Sequence, residues 1–181
     1  VCNGVTSADS ASSLFAYNAI LELTGPEGIR QVPIREFYTG PGKTVRHHEE
    51  VMTAIRIRRR DYEGYTGCYI KYGKRNAMEI ATLGCACLVK LSLDKKVVED
   101  MRIAYGVAAP TPVRCPETEK SVSGQAVSKA LLLQTGKGVL NEVNPRTSWR
   151  ASKEFRLQLV EELAKRAMAQ AIRNGGGEVD A

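Results

Sequence analysis

The strongest constraint on the fold is a set of apolar residues that recurs at every fourth position between residues 152 and 173. Its members are Phe155, Leu159, Leu163, Ala167 and Ala171, with Val160, Ala164, Met168 and Ile172 beside them. This period places them on one face of a long α-helix, and the three glycines that follow would end it. A helix with one apolar face must bury that face, so the stripe indicates a core surface and not a cofactor-binding surface.

Alternating and β-branched residues predict strands over much of the remaining chain. The predicted strands cover residues 19–24, 29–34, 50–57, 69–72, 80–93 and 97–107. The first two flank Gly25-Pro26-Glu27-Gly28, a composition typical of a turn, and so predict a hairpin. Asp94-Lys95-Lys96 is a second predicted turn, and the stretch 39–43 is a predicted loop because it is rich in Gly and Pro.

Two shorter helices complete the predicted elements. One covers residues 12–17, with Ser7 or Asp9 as its N-terminal cap, and the other covers residues 126–133. The charged stretch 58–64 is the best candidate for a domain boundary, which divides residues 1–62 from 63–181. The predicted fold class is α+β, in which a β-rich first part precedes a three-stranded antiparallel sheet backed by helices.

The formal net charge of +6 raises the question of nucleic-acid binding. Aromatic residues make up only 6% of the chain, and no stacking platform accompanies the basic residues, so solvated faces and subunit contacts explain the excess better. No apolar run reaches the roughly 18 residues of a membrane helix, and the first nine residues do not resemble a signal peptide. We therefore expect neither nucleic acid nor a membrane as a partner. The initial Val suggests a processed, nicked or truncated start.

The cysteine pattern argues against a metal site and for a reducing cytoplasm. The five cysteines, none in a C-x-x-C pair, are Cys2, Cys68, Cys85, Cys87 and Cys115. Cys85 and Cys87 would point to the same face of a strand, where buried thiols are commoner than metal ligands.

Two adjacent histidines, His47 and His48, precede two glutamates and invite a metal or acid–base interpretation. Neighbouring positions in a turn rarely converge on one ligand, and the sequence offers no third ligand, so a solvated loop is the better interpretation. The chain also lacks a recognisable set of nucleophile, base and orienting residue.

The first eleven residues, VCNGVTSADSA, are small and polar and precede a predicted helix. Such a segment lets backbone N–H groups approach a phosphate or another polar ligand closely, although a capped loop before a helix has the same composition. Three further segments stand out in order along the chain: YIKYGKR at 69–75, AYGVAAPTPVR at 104–114 and SWRASKEFR at 148–156.

Together these four segments resemble the FAD-carrying subunits of the xanthine dehydrogenase and carbon monoxide dehydrogenase family. The first is similar to the second flavin-contacting loop of the family, whose Gly-Gly-Asn would stand immediately before Val1. The others are similar to the start of the carboxy-terminal domain, to its G-x-x-A-P-x-P-x-R strand end, and to the S-x-R-A-S-x-x-Y/F-R start of its last helix. The likeness covers nearly the whole chain and is greatest for the medium subunits of bacterial purine-oxidising enzymes.

This resemblance implies the remainder of a PCMH-type FAD-binding domain followed by a domain like the carbon monoxide dehydrogenase flavoprotein carboxy-terminal domain. It implies an oxidoreductase subunit that passes electrons from iron–sulfur clusters through FAD to NAD or another acceptor. The implied partners are a large molybdopterin-binding subunit and a small subunit with 2Fe-2S clusters. The family's glycine-rich pyrophosphate loop would lie upstream of Val1, so we expect the 181-residue chain alone to be inactive and to bind FAD weakly, with a mobile amino terminus.

The resemblance also assigns cofactor-binding roles to individual residues. Cys2 and Asn3 would contact the flavin or its ribityl chain through backbone groups, and Asp9 would accept hydrogen bonds from ribityl hydroxyls or amides. Met52 would pack near the adenine or the flavin ring, unless it is ordinary strand core. Lys71 would place a cation beside the flavin and stabilise negative charge on its reduced form, unless it is a solvated lysine on an edge strand.

Two alternatives stay open at the sequence level. Lys74 and Arg75 would either attract an anionic dinucleotide or be solvated. The second alternative belongs to a different class of function: the whole chain is a non-redox α+β module whose basic surface binds a protein partner or nucleic acid.

Overall fold

The computed structural model describes residues 1–75 and 77–179. The α-helices of these residues are α1 (Asp9–Ala16), α2 (Ile34–Phe37), α3 (Arg59–Tyr62), α4 (Pro116–Val122), α5 (Lys129–Gly138) and α6 (Lys153–Asn174). The strands are β1 (Ile20–Gly25), β2 (Gly28–Pro33), β3 (Tyr38–Gly40), β4 (Lys43–Thr44), β5 (Val51–Arg56), β6 (Tyr65–Tyr72), β7 (Leu83–Leu91), β8 (Val97–Gly106), β9 (Val113–Arg114) and β10 (Gln125–Ala126). A short 3₁₀ helix covers Val139–Asn141.

The largest sheet is antiparallel and has the strand order β10-β8-β7-β6, with β9 paired to β8. Its three long strands confirm the predicted three-stranded antiparallel sheet. Strands β9 and β10 extend it to five, and sequence periodicity missed them because each has only two residues. Strand β6 is an edge strand, in which Lys71 lies opposite Gly84.

Helix α6 packs against one face of this sheet, as its stripe predicts. The Tyr105 hydroxyl, on β8, donates a hydrogen bond of 3.0 Å to the Val160 carbonyl of the helix. Cys85 and Cys87 both point to this face, where burial raises the pKa of each thiol and so keeps it protonated. Phe155 is the exception to the stripe, since it is 39% exposed and packs edge-on against Tyr72.

Helix α1 covers the opposite face of the sheet, and the first hairpin packs into the same second core. The sheet contributes Ala86, Leu88 and Ala104 to this second core, and the two alanines leave room for α1 to approach. Strands β1 and β2 form the predicted hairpin, and β5 pairs with the other side of β1. Leu21 and Leu23 are fully buried on its inner side, and each contributes about 1.5–3 kcal/mol of hydrophobic stabilisation.

The stretch 58–64, predicted as a boundary, contains helix α3 and a buried carboxylate. Asp61 accepts hydrogen bonds from Asn18 Nδ2 at 2.9 Å and from Arg58 Nε at 2.8 Å. Arg102, on β8, donates to the Asp61 carbonyl at 3.0 Å. These contacts fix the stretch against both α1 and the large sheet.

Three predicted details were wrong. Helix α1 begins at Asp9, three residues earlier than predicted, and its N-cap is Ala8, so neither Ser7 nor Asp9 caps it. The later helix begins at Lys129 and not at residue 126, because Ser128 Oγ caps it through the Leu131 N–H at 3.1 Å. Residues 39–43 do not form a simple loop, since they contribute to the small ribbon of β3 and β4. Within the described parts of the chain, no helix has the length and apolar character needed to cross a membrane.

Candidate functional site

The amino-terminal loop before α1 is held by backbone contacts on two sides. The Gly4 carbonyl accepts a hydrogen bond from the Gly42 N–H at 3.0 Å, and the Thr6 carbonyl accepts one from the Val107 N–H at 3.1 Å. Gly4 has φ of 62°, and a Cβ at this position would lie 2.8 Å from the Lys43 nitrogen, so only glycine fits here. The expectation of a terminus without partners was therefore wrong.

Asp9 and Lys71 form an ion pair that joins helix α1 to edge strand β6. The Lys71 Nζ atom lies 2.8 Å from Asp9 Oδ2, and the Tyr69 hydroxyl donates to Asp9 Oδ1 at 3.4 Å. Burial, followed by the neighbouring Asp9 charge, raises the pKa of Tyr69 and keeps its hydroxyl protonated. Lys71 is thus on an edge strand, as one interpretation held, but it is ion-paired and not simply solvated.

Cys2, on the amino-terminal loop, lies beside Met52 of strand β5. Their sulfur atoms are 4.0 Å apart, and Met52 is partly buried against the amino-terminal core. Asn3 is exposed in the same turn. Sequence reasoning missed Tyr38, whose hydroxyl is buried without a hydrogen-bond partner in the described structure. Burial, followed by the nearby Cys2 thiol, raises the pKa of Tyr38 to about 12.

A shallow groove of about 220 Å³ runs between α1 and β6, beside the Asp9–Lys71 pair. It is lined by Ser13, Tyr17, Gly67, Cys68, Tyr69, Ala86 and Leu88. Ser13 lies one helical turn after Asp9, and Tyr69 contacts that carboxylate, so the groove continues directly from the ion pair. A groove of mixed polar and apolar character beside a paired cation and anion suits a flat ligand with polar substituents.

Residues after β6 are engaged mainly with each other. The Arg75 N–H donates to Glu79 Oε2 at 2.6 Å, and its guanidinium donates to the Met78 carbonyl at 2.5 Å. Lys74 is exposed, and Asn76 lies outside the described residues. This geometry gives Arg75 a local role, and it leaves Lys74 as the cation that faces solvent.

The two histidines are exposed in the loop before β5. The His47 N–H donates to Glu50 Oε2 at 2.7 Å, and Glu50 pairs with Arg30 Nε at 2.5 Å. Hydrogen bonding from Arg30 lowers the pKa of Glu50 to about 2. Across residues 1–75 and 77–179, no three His, Cys, Asp or Glu side chains come together in a way that could hold a metal ion.

Two family descriptions match the chain. Residues 1–58 match the FAD binding domain in molybdopterin dehydrogenase, and residues 68–171 match the CO dehydrogenase flavoprotein C-terminal domain. The Asp9–Lys71 pair therefore joins a residue of the first region to a residue of the second.

Curated relatives and solved structures agree with these matches. The xanthine dehydrogenase FAD-binding subunit of Escherichia coli O157:H7 is 41% identical over 99% of this chain, which spans 61% of that protein. The glyceraldehyde dehydrogenase medium chain of Sulfolobus acidocaldarius is 31% identical over 92% of this chain and 59% of its own length. A structure of carbon monoxide dehydrogenase from Hydrogenophaga pseudoflava superposes with a TM-score of 0.87 at 26% identity, over 96% of this chain and 59% of that one.

The second family description alone covers more than half of the chain, and the solved structure shares its fold. The chain therefore belongs to the family of FAD-binding medium subunits that carry the CO dehydrogenase flavoprotein C-terminal domain.

Proposed function

We propose that this chain forms one side of an FAD site in the electron-transfer subunit of a xanthine-dehydrogenase-type molybdenum hydroxylase. The observation that carries the proposal is the Asp9–Lys71 ion pair, which lies beside a groove of mixed polar and apolar character and follows a glycine-containing loop. The chain spans 61% of the E. coli relative, so it would supply part of the site only.

Several features of the chain fit a flavin. The loop is held open by backbone contacts, and the orphaned Tyr38 hydroxyl beside Cys2 offers a hydrogen-bond donor to a ring heteroatom. Met52 offers a polarisable apolar surface against which a heteroaromatic ring packs well. Cys2 and Asn3 would contribute backbone groups of the turn.

Lys71 and Asp9 would have different electrostatic roles at the flavin. Bound FAD would supply the redox chemistry, taking up electrons from iron–sulfur clusters and releasing them to an acceptor. The Lys71 ammonium would stabilise negative charge that develops beside it. Asp9 would orient that ammonium through the 2.8 Å contact and, with its remaining lone pairs, accept hydrogen bonds from ribityl hydroxyls.

The wider setting is part of the same proposal. The partners would be a molybdopterin-binding large subunit and an iron–sulfur small subunit, with NAD as the final acceptor and a purine-like molecule as the reductant. The five free cysteines support a cytoplasmic location, because a reducing compartment keeps thiols unpaired. We also propose a division of the chain into residues 1–62, which complete the FAD-binding domain, and residues 63–181.

Flavin content of the purified enzyme that contains this chain tests the proposal. Asp9→Asn keeps the size of the side chain but removes the charge that orients Lys71, so we expect a lower FAD-to-protein ratio, while the flavin-free forms of variant and parent melt at similar temperatures. Glu27→Gln, in the exposed hairpin turn, is the matched control and should retain full flavin. If Asp9→Asn retains as much flavin as Glu27→Gln, the assignment is refuted.

A further inference from the structure

The segment from Asn144 to Arg156, which leads into α6, carries an unbalanced positive charge. Its cations are Arg146, Arg150, Lys153 and Arg156, and its one carboxylate is Glu154. Over the part of the chain that the structure describes, none of the four cations forms a salt bridge. Glu154 is hydrogen-bonded by Ser152 and by its own backbone, which together lower its pKa.

Arg156 is the most deeply placed of these cations. It is 2% exposed, and its guanidinium donates to the Thr82 carbonyl at 3.3 Å, to Ser148 Oγ at 2.9 Å and to the Arg146 carbonyl, all of which are neutral. Burial, followed by the charges of Arg146 and Arg150, lowers the pKa of Arg156. The Thr82 hydroxyl is also buried, and among the described residues it has no hydrogen-bond partner. Buried charge without an opposite charge is unfavourable, so this region of the molecule favours an anion nearby.

A partly open cavity of about 130 Å³ adjoins the segment, and its residues Asn144 and Arg146 are exposed. It is lined by Thr6, Pro41, Val107, Ala109, Pro110, Asn144 and Arg146. Val107 has φ of 68°, a conformation that is rare for a β-branched residue and that concentrates at functional sites. The cavity is far smaller than the roughly 300–1,000 Å³ of pockets that enclose whole ligands, so it suits a small ion or one end group of a larger molecule.

Most of the cavity lining is apolar, and its polar side chains are Thr6, Asn144 and Arg146, each of which can donate a hydrogen bond. Asn144 Oδ1 accepts from Lys153 Nζ at 2.9 Å, which leaves its amide N–H₂ available to a ligand and brings the lysine close to the cavity. Lys153 is also the first residue of the 22-residue helix α6, whose dipole adds positive potential at this end. In the described structure the Arg146 guanidinium donates no hydrogen bond to protein, and Arg is well suited to tetrahedral oxyanions.

We infer that this cavity binds an oxyanion of the phosphate class, with Arg146 as its principal ligand and Asn144 and Lys153 in support. Neither Asp9 nor Lys71 lines the cavity, although Thr6 belongs to the same amino-terminal loop as the proposed flavin contacts. The phosphate would be either the free ion or the terminal group of a nucleotide, whose base would have the exposed Trp149 ring available for stacking.

Calorimetric titration of the flavin-free chain with sodium phosphate, in buffers matched for ionic strength with sodium chloride, tests the site. We expect saturable 1:1 binding that Arg146→Met weakens about tenfold or more, since one charge-assisted contact is lost. Arg173→Met, at the exposed far end of α6, is the matched control and should bind phosphate like the parent chain. Absence of saturable binding, or equal affinities for Arg146→Met and Arg173→Met, overturns the inference.

Parallel titrations with ADP and acetate identify the source and class of the ligand. Tighter binding of ADP than of phosphate, with the difference abolished by Trp149→Ala, supports a nucleotide phosphate. Equal affinities for ADP and phosphate support the free ion. Acetate that binds as tightly as phosphate contradicts the phosphate class.

Discussion

The buried ion pair between Arg114 and Glu119 joins the large sheet to elements packed on both of its faces. Removing it tests how much this connection contributes to stability. The two side chains are only 8% and 9% exposed, and the guanidinium bonds the carboxylate through both Nε, at 2.7 Å, and Nη2. Arg114 also donates to Asn18 Oδ1 at 2.7 Å, at the end of α1. Glu119 in turn accepts the Ile103 N–H of β8 at 3.0 Å. One pair therefore joins α4, β8, β9 and the amino-terminal region.

Glu119→Ala removes the carboxylate and leaves a buried guanidinium without a counter-charge. Breaking a buried pair in this way costs about 3–5 kcal/mol, in contrast to about 0–1 kcal/mol for an exposed pair. For a domain of 150–250 residues, each kcal/mol lowers the melting temperature by roughly 2–4 °C, so the expected fall is about 6–20 °C. Differential scanning calorimetry and urea titration at pH 7 measure both quantities.

Two further variants separate the loss of the pair from general damage. Glu162→Ala removes a carboxylate that pairs with Lys165 and Arg166 on the surface of α6, and it should cost less than about 1 kcal/mol. The double variant Arg114→Met/Glu119→Leu removes both buried charges and should recover most of the stability that Glu119→Ala loses. A Glu119→Ala protein that melts within a few degrees of Glu162→Ala would refute the reasoning.

Three other predictions concern the site and its surroundings. In the assembled enzyme, Lys71→Met should make the flavin midpoint potential more negative, while Lys96→Met, in an exposed turn, should leave it unchanged; spectroelectrochemical titration compares the two. Glu50 has a folded pKa of about 2, below the roughly 4.3 of an unfolded glutamate, so its contribution to stability is complete above about pH 4.3 and falls as the pH drops towards 2. Urea midpoints measured from pH 6 to pH 2 should therefore decline less steeply for Glu50→Gln than for the parent chain. Gly4→Ala should destabilise the chain by roughly 1–2 kcal/mol or more in urea titration, since it combines strain at positive φ with a 2.8 Å clash against Lys43 N.

Local signals in the sequence were sufficient to predict helix α6 and the first hairpin. The four-residue spacing and the glycines after residue 174 placed α6 within one residue at each end, and in the structure Ser152 caps the helix through the Phe155 N–H. The Gly25–Gly28 turn likewise placed the first hairpin. These elements are set by periodicity and by turn chemistry, both of which can be read from neighbouring residues.

The features that the sequence did not predict depend on contacts between distant segments. Asp9 was a reasonable cap by composition, yet its carboxylate pairs with Lys71, a partner that only the fold brings near. Phe155 fits the apolar stripe but lies beyond the edge of the sheet, so it contacts Tyr72 and stays partly exposed. No sequence pattern predicted the buried hydroxyl of Tyr38, because burial of a single polar atom depends on packing and not on residue spacing.

The hydrogen bond from Val107 to the Thr6 carbonyl has a consequence for the order of assembly. The loop around Gly4 precedes the large sheet in the chain, but one of its two anchors is at the end of β8, which is translated after β6 and β7. Pairings between such distant segments form slowly because a long loop must close first. The loop would therefore acquire its final shape late, and a cofactor that depends on it would be captured after the carboxy-terminal sheet has folded.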